Sequence, residues 1–304
     1  MRYYFFSSHF YNGKASAVMK KDIMEIMQSQ MSDFSKGQRC IARYILSNYE
    51  KAAYMTAAKL GNLSGVSEST VVRFAIELGY DGYPEMQKSL QEVVRTKLTS
   101  VQRMEVTNSR IGNSDVLDKV LSSDIDKIRQ SLEEIDRDAF YEAIDKIIAA
   151  KNIYIIGVRS SSTLAGFMNY NFRMIFDNVK FIQTTSGSEM FEQIMRIGEG
   201  DILIAISFPR YSKRIINAVE FARARGADVV ALTDSAQSPI AAYATQLLTA
   251  CSDMASFVDS LVAPLSIINA MIVELARKKQ EELTVRLHEL ESIWEEYDVY
   301  DKNK

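Results

Sequence analysis

The chain has 304 residues, 47% of them hydrophobic and 25% charged, the composition of an ordinary globular protein with length enough for two domains and two cores. A net charge of −3 excludes a surface that binds polyanions everywhere. Two cysteines (Cys40, Cys251) and two histidines (His9, His288) exclude a disulfide framework, a zinc site and a Ser-His-Asp triad, and fit a reducing cytoplasm. The charge is uneven. Residues 1–110 hold 15 Lys and Arg against 10 Asp and Glu, which leaves 21 against 29 in the rest, so a basic end precedes an acidic one. A small DNA-binding domain on a larger non-binding one has that pattern.

The first residues, MRYYFFSSHFYNGKASA, carry an aromatic run too short for a signal peptide or a membrane span. Met19 is a candidate start, with the residues before it an extension. Met19 to Gln30 is a weak helical segment. A helix opening at Phe34-Ser35-Lys36 carries Ile41, Ala42, Ile45 and Leu46, and Cys40 reads as a small core residue on it. Thr56 to Tyr80 reads as two short helices around a tight turn. The first has Ala57, Ala58, Leu60 and Leu63 at helical spacing, and Gly65 reverses the chain. The second is capped by Ser67, carries Val71, Val72, Ile76 and Leu78, and ends at Gly79. Ser67, Ser69, Thr70 and Arg73 lie near its start, away from the apolar stripe. This is the pattern of a helix-turn-helix, whose second helix meets base edges and phosphates with its N-terminal side chains. Two amphipathic helices around a glycine are also common in all-α domains. A further helix from Pro84 holds Met86, Leu90, Val93, Val94, Leu98 and Val101, an apolar face that closes the domain core or forms a dimer seam. Val106 to Ser114 is polar and reads as a linker.

The run VSESTVVRFAIELGYDGYPEMQKSL resembles the N-terminal DNA-binding domain of the RpiR/MurR family of bacterial transcription regulators, over residues 34–97. The resemblance implies a dimeric or tetrameric protein bound to double-stranded operator DNA.

Beyond Asp115 come two helices, LDKVLSSDIDKIRQSLEEI and DRDAFYEAIDKIIAA, the second capped by Asp136. The period then changes. Apolar runs at Ile153–Gly157, Lys180–Gln183, Asp201–Ile206, Asp228–Thr233 and Gln246–Thr249 alternate with helices, the mark of a buried parallel sheet. A helix over Asp259–Lys278 and a last one with Leu283, Leu287, Leu290, Ile293 and Trp294 complete the chain.

Ligands of open parallel sheets sit outside the carboxyl ends of the strands. The first strand is followed by Gly157-Val158-Arg159-Ser160-Ser161-Ser162-Thr163, the second by Thr184-Thr185-Ser186-Gly187-Ser188-Glu189, the third by Ser207-Phe208-Pro209-Arg210-Tyr211-Ser212-Lys213. Neither GxGxxG nor GxxxxGK[ST] is present, so dinucleotide and P-loop nucleotide binding are unsupported. Hydroxyls at helix starts suit an anion. Each loop alone is explained by N-capping; three loops, with Arg159 and Arg210, point to a polyhydroxylated or phosphorylated ligand.

The arrangement resembles the sugar isomerase (SIS) domain over residues 115–280, which in this family follows the helix-turn-helix and senses phosphosugars. By that resemblance Ser161 and Ser207 match positions that bind the effector phosphate, and Ser212 matches the later Ser/Thr. The usual Ser-x-Ser-Gly-x-Thr loop is altered, because Pro209 and Arg210 stand where its second Ser and its Gly would be. Proline removes a backbone donor and arginine adds an anion clamp.

The expected architecture is an all-α helix-turn-helix domain (19–104), a linker (105–114) and an α/β domain with a parallel sheet flanked by helices (115–297). The expected function is a cytoplasmic, ligand-responsive transcription regulator without metal, cofactor or catalytic residues. Ser67, Ser69, Thr70 and Arg73 are the DNA-binding candidates; Ser161, Ser207, Arg210 and Ser212 are the effector-binding ones. The alternative is a phosphosugar isomerase, for which Glu189 is the one loop carboxylate available as a base. A purely structural oligomerisation module would leave the hydroxyl loops unexplained.

Overall fold

The structure is a computed structural model that describes residues 23–112, 115–183 and 186–300. Its N-terminal part is helical: α1 (Ile23–Ser29), α2 (Lys36–Ser47), α3 (Tyr49–Ala52), α4 (Ala57–Ser64), α5 (Glu68–Glu77), α6 (Tyr83–Lys97) and α7 (Ser100–Ile111). Ser35 and Gln38 form a capping box that starts α2, and Thr56 and Ser67 cap α4 and α5. Gly65, at φ 70°, makes the left-handed turn between α4 and α5. The sequence spacing misassigns part of both apolar faces. Leu63 and Ile76 are 51% and 55% exposed, and Ala58 is exposed too. Phe74 fixes the rotation of α5. Its ring meets Phe34 edge-on at 5.2 Å, so Val71, Phe74, Ala75 and Leu78 turn inward at i, i+3, i+4 and i+7. On α2 the buried stripe is Ile41, Ala42 and Ile45; Cys40 falls outside it and is exposed, contrary to the core position expected.

The apolar face of α6 belongs to the core of this unit. Met86, Leu90, Val93, Val94 and Leu98 are buried among Ile41, Leu60 and Phe74, so the face is no dimer seam; Val101 alone is exposed. The helix also stops earlier than its periodicity indicates. Thr99 accepts from Gln102 N at 3.3 Å, and Gln102 Oε1 accepts from Thr99 N at 3.0 Å, a capping box that opens a new helix. That helix, α7, takes in the polar stretch from Val106 to Ile111 that reads as a linker.

The C-terminal part begins with α8 (Val116–Glu134) and α9 (Arg137–Ala149), capped by Asp115 and Asp136. It continues through β1 (Ile153–Gly157), α10 (Ser160–Ile175), β2 (Val179–Ile182), α11 (Gly187–Ile194), β3 (Ile202–Ile206), α12 (Lys213–Ala224), β4 (Asp228–Thr233), a 3-10 turn at Ala241–Tyr243, β5 (Gln246–Thr249), α13 (Val262–Lys278) and α14 (Gln280–Glu296). The strands pair in the order β2-β1-β3-β4-β5, all parallel. Successive side chains alternate between faces. Ile153, Ile155, Ile202, Ile204, Val230 and Leu232 pack under α9, α10 and α13, and Tyr154, Ile156, Leu203, Ala205, Val229 and Ala231 pack under α11 and α12. The helix expected from Asp259 begins at Val262. Asp259 is instead part of a loop whose Met254 and Asp259 form an antiparallel bridge. No helix among the described residues is long and apolar enough to cross a membrane.

Candidate DNA-reading helix and effector crevice

The four DNA-binding candidates meet at the start of α5. Ser67 Oγ accepts from Thr70 N at 3.3 Å and lies 2.9 Å from Ser69 Oγ and 2.8 Å from Thr70 Oγ1. Arg73 Nε donates to Ser69 O at 3.2 Å, one turn on. Ser67, Ser69 and Arg73 are exposed and Thr70 half-buried. A helix N-terminus that carries three hydroxyls and an arginine on its solvent face presents donors to phosphates and base edges. The start of α2 lies beside it, since a Cβ on Gly37 would come 3.5 Å from Val66 and 3.6 Å from Thr70.

The effector candidates meet at the carboxyl ends of β1 and β3. After β1 the chain turns outward to β2, and after β3 it turns the opposite way to β4, so β1 and β3 flank a topological switch point. A cavity of about 260 Å³ opens there, and Arg159, Ser161, Ser207, Arg210 and Ser212 all line it. Gly157 brings the two sides together. A Cβ there would stand 2.5 Å from Ser161 O and 3.0 Å from Ala165 Cβ, so only glycine lets α10 start directly over the strand end.

Capping does not account for these serines. The N-cap position of α10 is Arg159 and that of α12 is Ser212, and neither makes a side-chain cap bond. Ser161 and Ser207 are 5% and 3% exposed. One buried serine, Ser161, therefore stands in the first turn of α10 and the other, Ser207, just past the end of β3; both line one cavity with Ser212 at the start of α12, and neither helix has a side-chain cap. The arginines have an uncommon backbone. Arg159 and Arg210 have φ of 57° and 65°, a conformation costly for any residue with a Cβ, and Asp298 is the one other described non-glycine with positive φ. Strain concentrated at one crevice is a feature of sites rather than of scaffolding.

The second loop does not join them. Thr184 and Thr185 lie outside the described residues, and Ser186 to Glu189 do not line the cavity. β2 is an edge strand, which displaces its loop from the β1–β3 crevice. The wall is completed by residues remote in sequence: Ser100 and Arg103 from α7, and Phe257, Val258 and Asp259 from the loop before α13. Arg210 Nη1 donates to Ser100 Oγ at 3.1 Å, and Arg103 pairs with Asp259. Nothing in local spacing announces these residues: Ser100 and Arg103 fall at the end of the expected DNA-binding domain, and Phe257 to Asp259 at the start of the helix expected from Asp259. Among the described residues no group of three His, Cys, Asp or Glu is placed to hold a metal.

Comparison with known proteins gives matches for both parts. Residues 21–97 match the helix-turn-helix domain of the rpiR family, and residues 146–274 match the SIS domain. The chain is 27% identical to the HTH-type transcriptional regulator HexR of Pseudomonas aeruginosa over 229 residues, 75% of this chain and 78% of that one. It is also 27% identical to HexR of Escherichia coli K12 over 235 residues, 75% and 77% of the two chains. Among solved structures, the Vibrio vulnificus NanR protein complexed with ManNAc-6P superposes with a TM-score of 0.56 at 24% identity, covering 90% of this chain and 97% of that one. The sugar isomerase domain of an RpiR transcription factor from Sphaerobacter thermophilus gives 0.55 at 25% identity, covering 57% and 97%.

Proposed function

The chain belongs to the rpiR family of helix-turn-helix regulators that carry a SIS domain, and from that premise we propose that it is a transcription regulator whose DNA affinity is set by a small phosphorylated effector in the β1–β3 crevice. The observation that carries the effector half is one cavity lined by two buried serines, Ser161 in the first turn of α10 and Ser207 at the end of β3, with the uncapped starts of α10 and α12 and with Arg159 and Arg210 beside them. A phosphoryl group matches this set: hydroxyl and backbone donors, two dipole ends and a guanidinium fork. The ManNAc-6P bound by NanR supports the phosphosugar class, and the Pro209-Arg210 substitution favours a differing pose or sugar.

In this reading Ser67, Ser69, Thr70 and Arg73 face the major groove. Residues 19–104 form the DNA-binding domain and 115–297 the effector domain, with 105–114 between them. The protein acts in the cytoplasm as a homodimer or homotetramer. The exposed stripe Leu117, Leu121, Ile125, Ile128 and Leu132 on α8 repeats every three or four residues, a spacing that suits a second copy of the same helix. Catalysis is the weaker reading. Glu189, the base it would use, is exposed and outside the cavity wall, and the carboxylate that does line the wall, Asp259, is held by Arg103.

The test is selection of an operator from random duplexes by the full chain, followed by titration of that operator with and without each member of a phosphosugar panel. The expected result is specific binding whose affinity changes with at least one phosphorylated sugar. Turnover of a panel member instead would establish the isomerase reading.

A further inference from the structure

α7 connects the two candidate sites by contact as well as by sequence. Val106 packs against the core that holds Phe74 and Val71 of α5, while Ser100 and Arg103 form part of the wall of the effector crevice. Arg103 is 1% exposed and is the largest fully buried side chain among the described residues. A guanidinium has five donors. Its Nη2 donates to Asp259, and its Nε has no partner. A buried donor without a partner is costly, and the cavity beside it is where a partner would fit. Asp259 is itself anchored: the next residue, Ser260, donates through Oγ to Asp124 on α8 at 2.7 Å and through its backbone N–H to Asp253 O at 2.9 Å.

Resting on the anionic-effector reading above, we propose that Arg103 is a third cation of that site, supplied by the helix that leads to the DNA-binding domain. An effector phosphoryl group competes with Asp259 for its guanidinium and, by winning, fixes α7. A phosphoryl group presents three acceptor oxygens to a fork that one carboxylate leaves partly unused, and two helix N-termini hold it in place. Asp259 is then the internal competitor that sets how much effector is needed. It also repels an incoming anion, so the Arg103–Asp259 pair acts as a threshold as well as a contact. Because Val106 of α7 packs against the core that also holds Val71 and Phe74 of α5, the position taken by Arg103 is felt at the reading helix.

The experiment uses the full chain with inorganic phosphate as probe, against chloride at equal ionic strength. Thermal stabilisation reports apparent affinity, since a ligand that binds only the folded state raises the midpoint by mass action. Hydrogen exchange of residues 100–111 reports α7. Phosphate should stabilise the wild type and raise protection of α7. Arg103→Lys, which keeps the charge and loses the fork, should weaken phosphate about tenfold and abolish the change in α7. Asp259→Asn should tighten phosphate about tenfold, a gain that damage to the fold does not produce. If Ser207→Ala weakens phosphate while Arg103→Lys and Asp259→Asn leave both affinity and α7 exchange as in the wild type, Arg103 is structural and this inference fails with the anion site intact. If the wild type responds to neither phosphate nor sugar phosphates, the anion site fails and takes this inference with it.

Discussion

Arg210 combines a strained backbone with an exposed charge at the mouth of the crevice, so its two contributions can be separated by substitution. Arg210→Ala keeps the strain and removes the guanidinium; effector affinity should fall about tenfold to a hundredfold, the range for a charge-assisted hydrogen bond. Arg210→Gly should lose as much affinity yet exceed Arg210→Ala in stability by ~1 kcal/mol, because only a Cβ is penalised at positive φ. Calorimetric titration and thermal unfolding of the two variants together check this. A residue of the other domain gives a pH test of the fold. Burial pushes the Tyr83 phenol up to about 12, while Tyr83 Oη and Gln87 Nε2 both donate to Met55 O at 2.7 Å. The folded chain keeps this proton where the unfolded chain, near its ordinary value of 10, has lost it. The contribution to stability is therefore full below pH 10 and is lost as pH rises through 12. Tyr83→Phe should remove that loss at a cost of only about 1 kcal/mol, since Gln87 still satisfies the carbonyl; denaturant unfolding across alkaline pH reads it. At this scale the residues that follow strands were legible. Ser161, Ser207, Arg210 and Ser212 sit where the end of an apolar run says a loop must begin. Arg103 was not legible, because its partner lies 156 residues away and only the packed fold brings them together.

The elements show where periodicity suffices and where it does not. The three central strands, β1, β3 and β4, stood out as continuous apolar runs because helices cover both faces of the sheet there, while the edge strands β2 and β5 are shorter and keep polar or half-buried positions. The rotation of α4 and α5 did not, because several apolar residues compete for each face and the Phe34–Phe74 contact decides among them. The break between α6 and α7 was written in Thr99-x-x-Gln102, a local signal overridden by the longer apolar repeat. Two element-level predictions follow from geometry. Gly157→Ala puts a Cβ 2.5 Å from Ser161 O, and α10 must move off the strand end; stability should fall by ~1–3 kcal/mol and effector binding with it, as thermal shift with and without ligand will show. Arg73→Ala on α5 should weaken operator binding by about 1–3 kcal/mol if it reads a guanine. If it contacts phosphate, the loss should be uniform across sequences, with a smaller dependence on salt. Unchanged operator affinity in a folded variant would remove α5 from the interface.

For the whole molecule, a single helix-turn-helix reads too few base pairs to specify a site, so the account requires symmetry. A two-fold pair should bind a pseudo-palindrome with half-sites about one helical turn, or a multiple, apart. The core use of the α6 face leaves the α8 stripe as the seam this account favours. Leu121→Glu with Ile125→Glu should convert the protein to monomers in sedimentation and abolish binding to the full operator; dimers that persist in that variant would move the seam elsewhere. Strand order and the placing of α7 at the carboxyl ends of β1 and β3 belong to this scale and were beyond local spacing, since both are set by long-range packing. The central claim is that an anion in the β1–β3 crevice is the signal. It is tested most directly by calorimetry of the full chain against paired phosphorylated and unphosphorylated sugars, wild type beside Ser207→Ala and Arg210→Ala. The account predicts that a phosphorylated sugar binds, that its unphosphorylated partner binds at least tenfold more weakly, and that both substitutions erase most of the difference. Tight binding of an uncharged ligand, indifferent to both substitutions, would contradict it.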